Sequence, residues 1–147
     1  MIRVLVRHEP IDPAAEFAAL QASGVGGIAT FLGVVRADDG VTTLELEHYP
    51  GGTEAALRRL VGEAVARWGL AAAAIVHRVG LMRPGDLVVF VGTAAAHRAA
   101  ALESCAYLID RLKTDAPFWK RETRGAEARW VEARETDSTA AARWQDS

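Results

Sequence analysis

Two lysines are the first residues in this sequence that could do chemistry. The chain has 17 cationic residues, of which only Lys113 and Lys120 are lysines and the rest are arginines. A primary amine can lose its proton and form adducts, which a guanidinium does poorly. In a strand, Phe118, Lys120 and Glu122 would share one face, and this trio suits a planar ligand with an anionic group. The alternative is an edge strand guarded by charge.

A second candidate lies at the start of a predicted long helix, where His97 and Arg98 are adjacent. A helix N-terminus has free N–H groups and a positive end, and an arginine beside it offers a forked donor. These features predict a site for a small anion. A solvated first turn is the alternative.

Three further patterns are weaker. Gly24, Gly26 and Ala29 match the letters of a dinucleotide fingerprint but precede a predicted strand, whereas the fingerprint must follow one, so a helix-to-strand loop is expected. Cys105 falls beside the apolar stripe of its helix and is expected to be a buried structural thiol. The histidines lack the paired spacing of zinc ligands, so no metal site is predicted; they are residues 8, 48, 77 and 97.

The elements that position these residues follow from periodicity and turn signals. Strands are predicted at 2–7, 27–36, 42–49, 73–79, 87–93, 118–123 and 129–134. Helices are predicted at 13–22, 53–68 and 96–113. Residues 37–40 carry a hairpin signal, and Pro117 ends the long helix. Because strand pairs and helices mix without a strict alternation, the predicted class is α+β.

The long helix is the element on which most candidates depend. Its apolar spacing predicts that it packs through a stripe of small and aliphatic residues, Ala99, Leu102, Ala106, Ile109 and Leu112. The strand at 42–49 is predicted to put Leu44, Leu46 and His48 on one face.

Composition sets the class of protein. The 147 residues include 50% hydrophobic and 24% charged residues, with a net charge of −2. This predicts one globular domain over residues 1–147 with a polar tail from about 136, rather than a disordered chain. No apolar run suits a membrane helix, and the charge argues against non-specific nucleic-acid binding. One cysteine and no apparent signal peptide make the cytoplasm the default location.

Several segments, in order, resemble the large, catalytic subunit family of molybdopterin synthase. They are FLGVVR (31–36), LELEHYPGGTE (44–54), IVHRVG (75–80), PGD (84–86), AHR (96–98), LKTDAPFWKRE (112–122) and RWVEARE (129–135). The resemblance runs from about Gly27 to Glu135, and EHYPGGTE and KTDAPFWKRE are its most specific parts. Asp115 departs from the family, where a basic or neutral residue is commoner, and Ile109 stands where Met can occur.

The resemblance implies an α/β hammerhead fold with an added antiparallel sheet, and a sulfurtransferase activity. In this family, cyclic pyranopterin monophosphate receives two sulfurs and becomes molybdopterin, a step of molybdenum cofactor biosynthesis. The sulfur arrives as a thiocarboxylate on the C-terminal Gly-Gly tail of a small ubiquitin-like subunit. The assembly is a heterotetramer around a central homodimer of large subunits, and no resident cofactor is implied.

The resemblance also implies roles for individual residues. The lysines, Lys113 and Lys120, would bind and polarise the carboxyl group of the tail or act as general acid/base. The pterin and its phosphate, or the tail, would be held by Arg36, His97, Arg98 and Arg134. Supporting roles fall to Glu122, as an orienting partner for a lysine, and to Phe31, near the tail channel.

Helix geometry adds a constraint of its own. His97 and Lys113 are 16 residues apart on the predicted helix, or about 24 Å at 1.5 Å per residue. One small pterin cannot contact both from a single straight helix. Either the two ends serve different sites, or a dimer brings His97 of one chain to Lys113 of another, as in the family. A module that only docks a ubiquitin-like protein, with the lysines as rim charges, is the non-catalytic alternative.

Overall fold

Two four-stranded sheets and three helices make up the part of the chain that the computed structural model describes, which is residues 1–37, 40–125, 127–131, 141, 142 and 144. The strands are β1 (Ile2–Arg7), β2 (Gly27–Val34), β3 (Thr43–His48), β4 (Ala72–Arg78), β5 (Gly80–Met82), β6 (Leu87–Ala95), β7 (Phe118–Arg124) and β8 (Glu127–Val131). The helices are α1 (Pro13–Gln21), α2 (Gly52–Trp68) and α3 (Arg98–Asp115). None of these helices is both long and apolar enough to cross a membrane.

The first sheet has the strand order β1-β4-β6-β2, with β1 parallel to β4 and the other pairs antiparallel. Alternation along β4 sends Ile75 to the face covered by α2 and α3, and Ala74 and Val76 to the face covered by α1. Ile75 and Val76 are fully buried, as expected for a strand with helices on both faces.

The second sheet has the order β5-β3-β7-β8 and is antiparallel throughout. Its inner face buries Leu44 and Leu46 of β3 against Val35, Val79 and Met82. The α+β class and the added antiparallel sheet are therefore confirmed, as is the predicted hairpin of β7 and β8 around Gly125, whose φ is 61°.

The hairpin predicted at residues 37–40 is wrong. β2 pairs with β6 in the first sheet, while β3 pairs with β5 and β7 in the second. After β2, Val35 stays bonded to the turn that precedes β6, donating to the Asp86 carbonyl at 2.9 Å and accepting from Gly85 N at 2.9 Å, so β2 does not turn back to pair with β3. The connection thus crosses between sheets, and Asp38 and Asp39 within it lie outside the described residues.

Helix α3 begins two residues later than predicted and buries a different stripe. His97 is its N-cap, and Ala116 leaves it with an extended backbone (φ −94°, ψ 131°), as the residue before Pro117 should. Of the predicted stripe, Leu112 is buried but Leu102 is 62% exposed. The buried residues of α3 are Ala101, Ser104, Cys105, Tyr107, Leu108 and Leu112.

The end of the chain is described only in part. Trp144 packs edge-on against Trp68 and Tyr107, and its Nε1 donates to Asp110 at 2.8 Å. Ala141 is buried and Trp144 packs against the core beneath α2 and α3, so part of the tail predicted to be polar makes apolar contacts. Arg134, and the part of the last predicted strand beyond residue 131, lie outside the described residues.

Candidate functional site

The direction of α3 across the first sheet decides which candidates can meet. The Thr93 hydroxyl of β6 donates to the Ala101 carbonyl near the start of α3 at 2.7 Å. One turn further along the helix, Cys105 Sγ lies 4.0 Å from the carbonyl of Val91. Later residues of α3 therefore lie beside earlier residues of β6, so the two elements run antiparallel. Because β2 is antiparallel to β6, α3 runs parallel to β2.

Two groups of candidate residues consequently lie at opposite ends of α3. Lys113, in its last turn, lies at the end of the sheet where β2 leads into Arg36. His97 and Arg98 lie at the other end, beside the start of β2. The helix is continuous from Arg98, after the N-cap His97, to beyond Lys113, so the 16-residue offset between His97 and Lys113 still corresponds to about 24 Å.

Lys113 and Lys120 share one neighbour, the imidazole of His77. His77, near the end of β4, is buried and stacks on Phe118 with ring centroids 4.0 Å apart and planes 22° apart. The pKa of His77 is lowered to about 4, mainly by burial, with smaller contributions in the same direction from electrostatic interactions with Lys113, Lys120 and His48. Lys113, at the C-terminal end of α3, and Lys120, on β7, are therefore both near the buried ring of His77.

The tautomer of His77 follows from its hydrogen bond. Its Nδ1 lies 2.9 Å from the Arg78 carbonyl oxygen, which can only accept, so Nδ1 carries the proton and Nε2 keeps the lone pair. At neutral pH this ring adds no charge beside the two ammonium groups. From the sequence, His77 was considered only as a possible metal ligand and this position was missed, although its place in the IVHRVG segment was a signal.

One flank of α3 packs on α2. Tyr107 donates to Glu63 at 3.2 Å, and Arg111 lies 3.4 Å from the same carboxylate. Helical periodicity puts four residues on the flank that faces away from α2, towards the edge strand β2. They are Leu102, Ala106, Ile109 and Lys113.

Phe31 completes an apolar surface beside that flank. It pairs with Val91 in the ladder, lies on the face of the sheet that carries α3, and is 36% exposed. We call Phe31, Leu102, Ala106 and Ile109 the α3–β2 strip. Because Lys113 follows Ile109 by one turn, the strip leads to the two amines.

At the opposite end, two glycines bring the chain close to the N-terminus of α3. A Cβ on Gly26 would lie 2.9 Å from the Ala96 carbonyl oxygen, and one on Gly27 would lie 3.1 Å from backbone atoms of His97. The glycines thus allow close packing of two backbones, and the expected helix-to-strand loop is confirmed. His97 and Arg98 remain exposed at the helix start, where an anion is favoured.

With this geometry in place, comparison with known proteins assigns the family. Residues 6–115 match the MoaE protein family. This chain belongs to the MoaE family.

Individual MoaE-family relatives agree over nearly the whole chain. The molybdopterin synthase catalytic subunit of Mesorhizobium japonicum is 48% identical over 149 residues, covering 98% of this chain and 94% of that protein. The structure of molybdopterin cofactor biosynthesis protein E from Burkholderia multivorans has a TM-score of 0.85 and 50% identity, covering 98% and 97% of the two chains. A complex of subunits 1 and 2 of molybdopterin-converting factor from Helicobacter pylori has a TM-score of 0.75 at 20% identity, covering 90% and 91%, and supports the fold alone.

Two acidic residues of the segment KTDAPFWKRE (113–122) have arginine partners. Asp115 forms an ion pair with Arg111, which offsets its charge beside Lys113. Glu122 accepts a hydrogen bond from Arg124 at 3.1 Å. An orienting contact from Glu122 to a lysine stays a prediction.

Cys105 lies in the core beneath α3. It is buried as a free thiol, as predicted, and burial raises its pKa to about 11, so the thiolate is scarce at neutral pH. Among the residues that the structure describes, no cluster of three or more His, Cys, Asp and Glu side chains could hold a metal ion.

Proposed function

We propose that this chain is the catalytic subunit of a molybdopterin synthase, a sulfurtransferase of molybdenum cofactor biosynthesis. It converts cyclic pyranopterin monophosphate into molybdopterin with sulfur from the thiocarboxylated Gly-Gly tail of a small ubiquitin-like subunit. The observation that carries the proposal is the convergence of Lys113 and Lys120, the only lysines of the chain, at one end of α3. Family membership and the names of the relatives support it. Residues 1–147 act as one domain, and the free buried cysteine suits the cytoplasm.

The α3–β2 strip is the proposed path of the carrier tail. It is apolar and at least partly exposed along the helix and ends at Lys113, so a narrow Gly-Gly tail lying on it brings its terminal thiocarboxylate to the amines. Phe31 and Ile109 are the proposed contacts near the end of the path. In keeping with a small-subunit partner, the similar Helicobacter pylori structure is a complex of two subunits.

The lysines suit the charge changes of the reaction. In each transfer the thiocarboxylate sulfur forms a bond to a pterin side-chain carbon, and the bond from that carbon to its oxygen breaks with the electron pair staying on the oxygen. Water then attacks the acyl carbon of the tail, the bond between the acyl carbon and the sulfur breaks, and the tail is released as a carboxylate. Negative charge develops on the acyl oxygen, which an ammonium group stabilises, and the same group can deliver or accept the proton. Arg36, at this end of the sheet, is the proposed holder of substrate or tail, as is Arg134.

His97 and Arg98 bind the phosphate of a pterin that reacts on another copy of the chain. They lie about 24 Å from Lys113 along a straight helix, farther than one small pterin reaches. A helix N-terminus with an arginine beside it is suited to a phosphate. The proposed assembly is a central dimer of catalytic subunits with a small subunit at each end.

Reconstitution tests the proposal. The purified chain is incubated with thiocarboxylated carrier and cyclic pyranopterin monophosphate, and the dithiolene product is measured by mass spectrometry. Formation of product, absent with unmodified carrier, supports a synthase. A stable complex with carrier but no product would instead show the docking module that is the alternative function.

A further inference from the structure

Thr53 is a buried residue that the proposed chemistry does not use. Its side chain is fully buried in the first turn of α2, within the EHYPGGTE segment. The hydroxyl accepts a hydrogen bond from Tyr49 N at 2.8 Å and donates one to the Pro117 carbonyl at 2.9 Å. Thr53 N also donates to the Tyr49 carbonyl at 2.8 Å, so both backbone groups of Tyr49 are bonded to Thr53 across the turn before α2. One hydroxyl therefore joins two segments that are 64 residues apart in sequence.

In the sequence, the residue whose carbonyl Thr53 holds, Pro117, lies between the two lysines. Pro117 follows Lys113 by four residues and precedes Lys120 by three. Here the chain changes from helix to strand: α3 ends at Asp115, and the ladder of β7 with β3 starts at Phe118. The carbonyl of Pro117 thus belongs to neither regular element, and a side chain has to satisfy it.

Phe118 is fixed from the other side. Its ring stacks on the buried ring of His77, and its backbone is in register with His48, the last residue of β3. His48 precedes the turn that Thr53 closes, and its Nε2 lies 3.9 Å from the Glu54 carboxylate. Pro117 and Phe118 are consequently held between the start of α2 and the end of β4.

From these contacts we infer that Thr53 is a positioning residue, which sets the placement of the two lysine amines by holding the Pro117 carbonyl. The catalytic consequence rests on the proposed function, whereas the placement itself does not. A small displacement of a catalytic group costs a large factor in rate without weakening substrate binding to the same degree.

Activity is compared between Thr53→Val, which keeps the branched shape and removes the hydroxyl, and Thr53→Ser, which keeps the hydroxyl. We expect Thr53→Val to lower kcat about tenfold, with KM for the carrier within about twofold of wild type. Thr53→Ser should stay within about twofold in both constants. Equal kcat values for Thr53→Val and wild type, or equal losses in both variants, would overturn the inference.

A second measurement needs no turnover, so it separates this inference from the proposed function. Lys113 and Lys120 carry the only side-chain amines of the chain, and the amine of Met1 donates to Ala71 in the first sheet. A homobifunctional amine cross-linker joins the two lysines within one chain. Cleavage at arginine then releases residues 112–121 as one peptide with an internal link. A link between two copies instead joins two such peptides, and this product differs in mass from the internally linked peptide.

The yield of this internal link is recorded against spacer length for wild type and both variants. We expect Thr53→Ser to reproduce the wild-type profile and Thr53→Val to shift or broaden it. Identical profiles for all three proteins would overturn the inference, even if activity differed. Inactive wild-type protein with a shifted Thr53→Val profile would contradict the proposed function and leave the positioning role intact.

If Thr53→Val does not fold, the same comparison is made at His77, on the other side of the segment. His77→Phe keeps a planar ring against Phe118, and His77→Leu removes it. We expect His77→Leu to change the cross-linking profile and lower kcat at least fivefold, and His77→Phe to change neither by more than about twofold. Equal behaviour of these two variants would show that contacts from other elements do not set the position of the segment between Lys113 and Lys120, and it would overturn the inference.

Discussion

At the residue scale, the low pKa of His77 should make the free energy of unfolding depend on pH. Burial is the main cause of its low pKa, and electrostatic interactions with Lys113, Lys120 and His48 act in the same direction. An unfolded histidine has a pKa near 6.5, so between pH 6.5 and about 4 the unfolded chain binds a proton at this residue that the folded chain does not. Folding stability from this residue is therefore present above pH 6.5 and is lost as the pH falls to about 4.

The expected size of this loss is about 3 kcal/mol over that interval, from 1.36 kcal/mol per pKa unit. Denaturant unfolding at a series of pH values compares wild type with His77→Phe, which keeps a ring against Phe118. The free energy of unfolding should fall more steeply with acid in wild type, by about that amount. Parallel curves would mean that His77 titrates normally in the folded protein.

The lysines are distinguished from arginines by chemistry rather than charge. Lys113→Ala and Lys120→Ala are each expected to lower turnover at least roughly tenfold, a modest demand on a positioned catalytic group. Both residues are exposed, so thermal unfolding should be nearly unchanged. Lys→Arg at either position fails to restore turnover if the amine transfers a proton, and partly restores it if charge alone matters. Near-normal turnover of both alanine variants would remove the catalytic assignment.

At the scale of elements, α3 shows what periodicity alone can and cannot predict. Its existence, its end before Pro117 and its N-terminus at His97 and Arg98 followed from local signals. The buried stripe did not, because an alanine-rich helix has two apolar stripes one residue apart. Which stripe faces the sheet is decided by contacts distant in sequence, such as the bond from Thr93 to Ala101.

The two leucines of α3 test this rotation of the helix. Leu108 is fully buried on the sheet face, and Leu102 is 62% exposed on the α3–β2 strip. Leu108→Ala should lower the free energy of unfolding by about 2–5 kcal/mol through lost burial and a cavity. Leu102→Ala, the matched control, should change it by less than about 0.5 kcal/mol. Denaturant unfolding measures both, and the reverse order would show that the predicted stripe is the buried one.

Strand pairing was the other feature that local signals misassigned. The segment 37–40 reads as a hairpin turn, yet Val35 is bonded to Asp86 and Gly85, and the next strand joins a different sheet. Turn propensity depends on the local backbone and gives no information on which sheet the next strand joins. The contacts of Thr53 and His77 across the lysine segment were likewise invisible in sequence, since their partners are 64 and 41 positions away.

At the scale of the whole molecule, the parallel course of α3 and β2 leads to a test of the shared site. One chain carries Arg98→Ala and the other carries Lys120→Ala, and each variant alone should be nearly inactive. If the site is shared, a mixed dimer has one site with both lesions and one with neither, so about half of the activity of a wild-type dimer returns.

The composition of the mixed dimer is checked by native mass spectrometry. Dimers of a single variant serve as controls for residual activity. A confirmed mixed dimer without activity would mean that each chain holds its own complete site. His97 and Arg98 would then be features of the helix start alone.

The order of strands in the second sheet has a consequence for the time course of folding. β3 is an interior strand of that sheet, but its partner β7 begins about 70 residues later in the chain. A ribosome delivers the chain from the N-terminus, and pairing between distant segments is slow because a long loop must close first. During synthesis, the edge of β3 that pairs with β7 stays open until the strand that carries Lys120 has been made. The two lysine amines thus reach their place only when this long-range pairing forms, and a half-made chain lacks the proposed site.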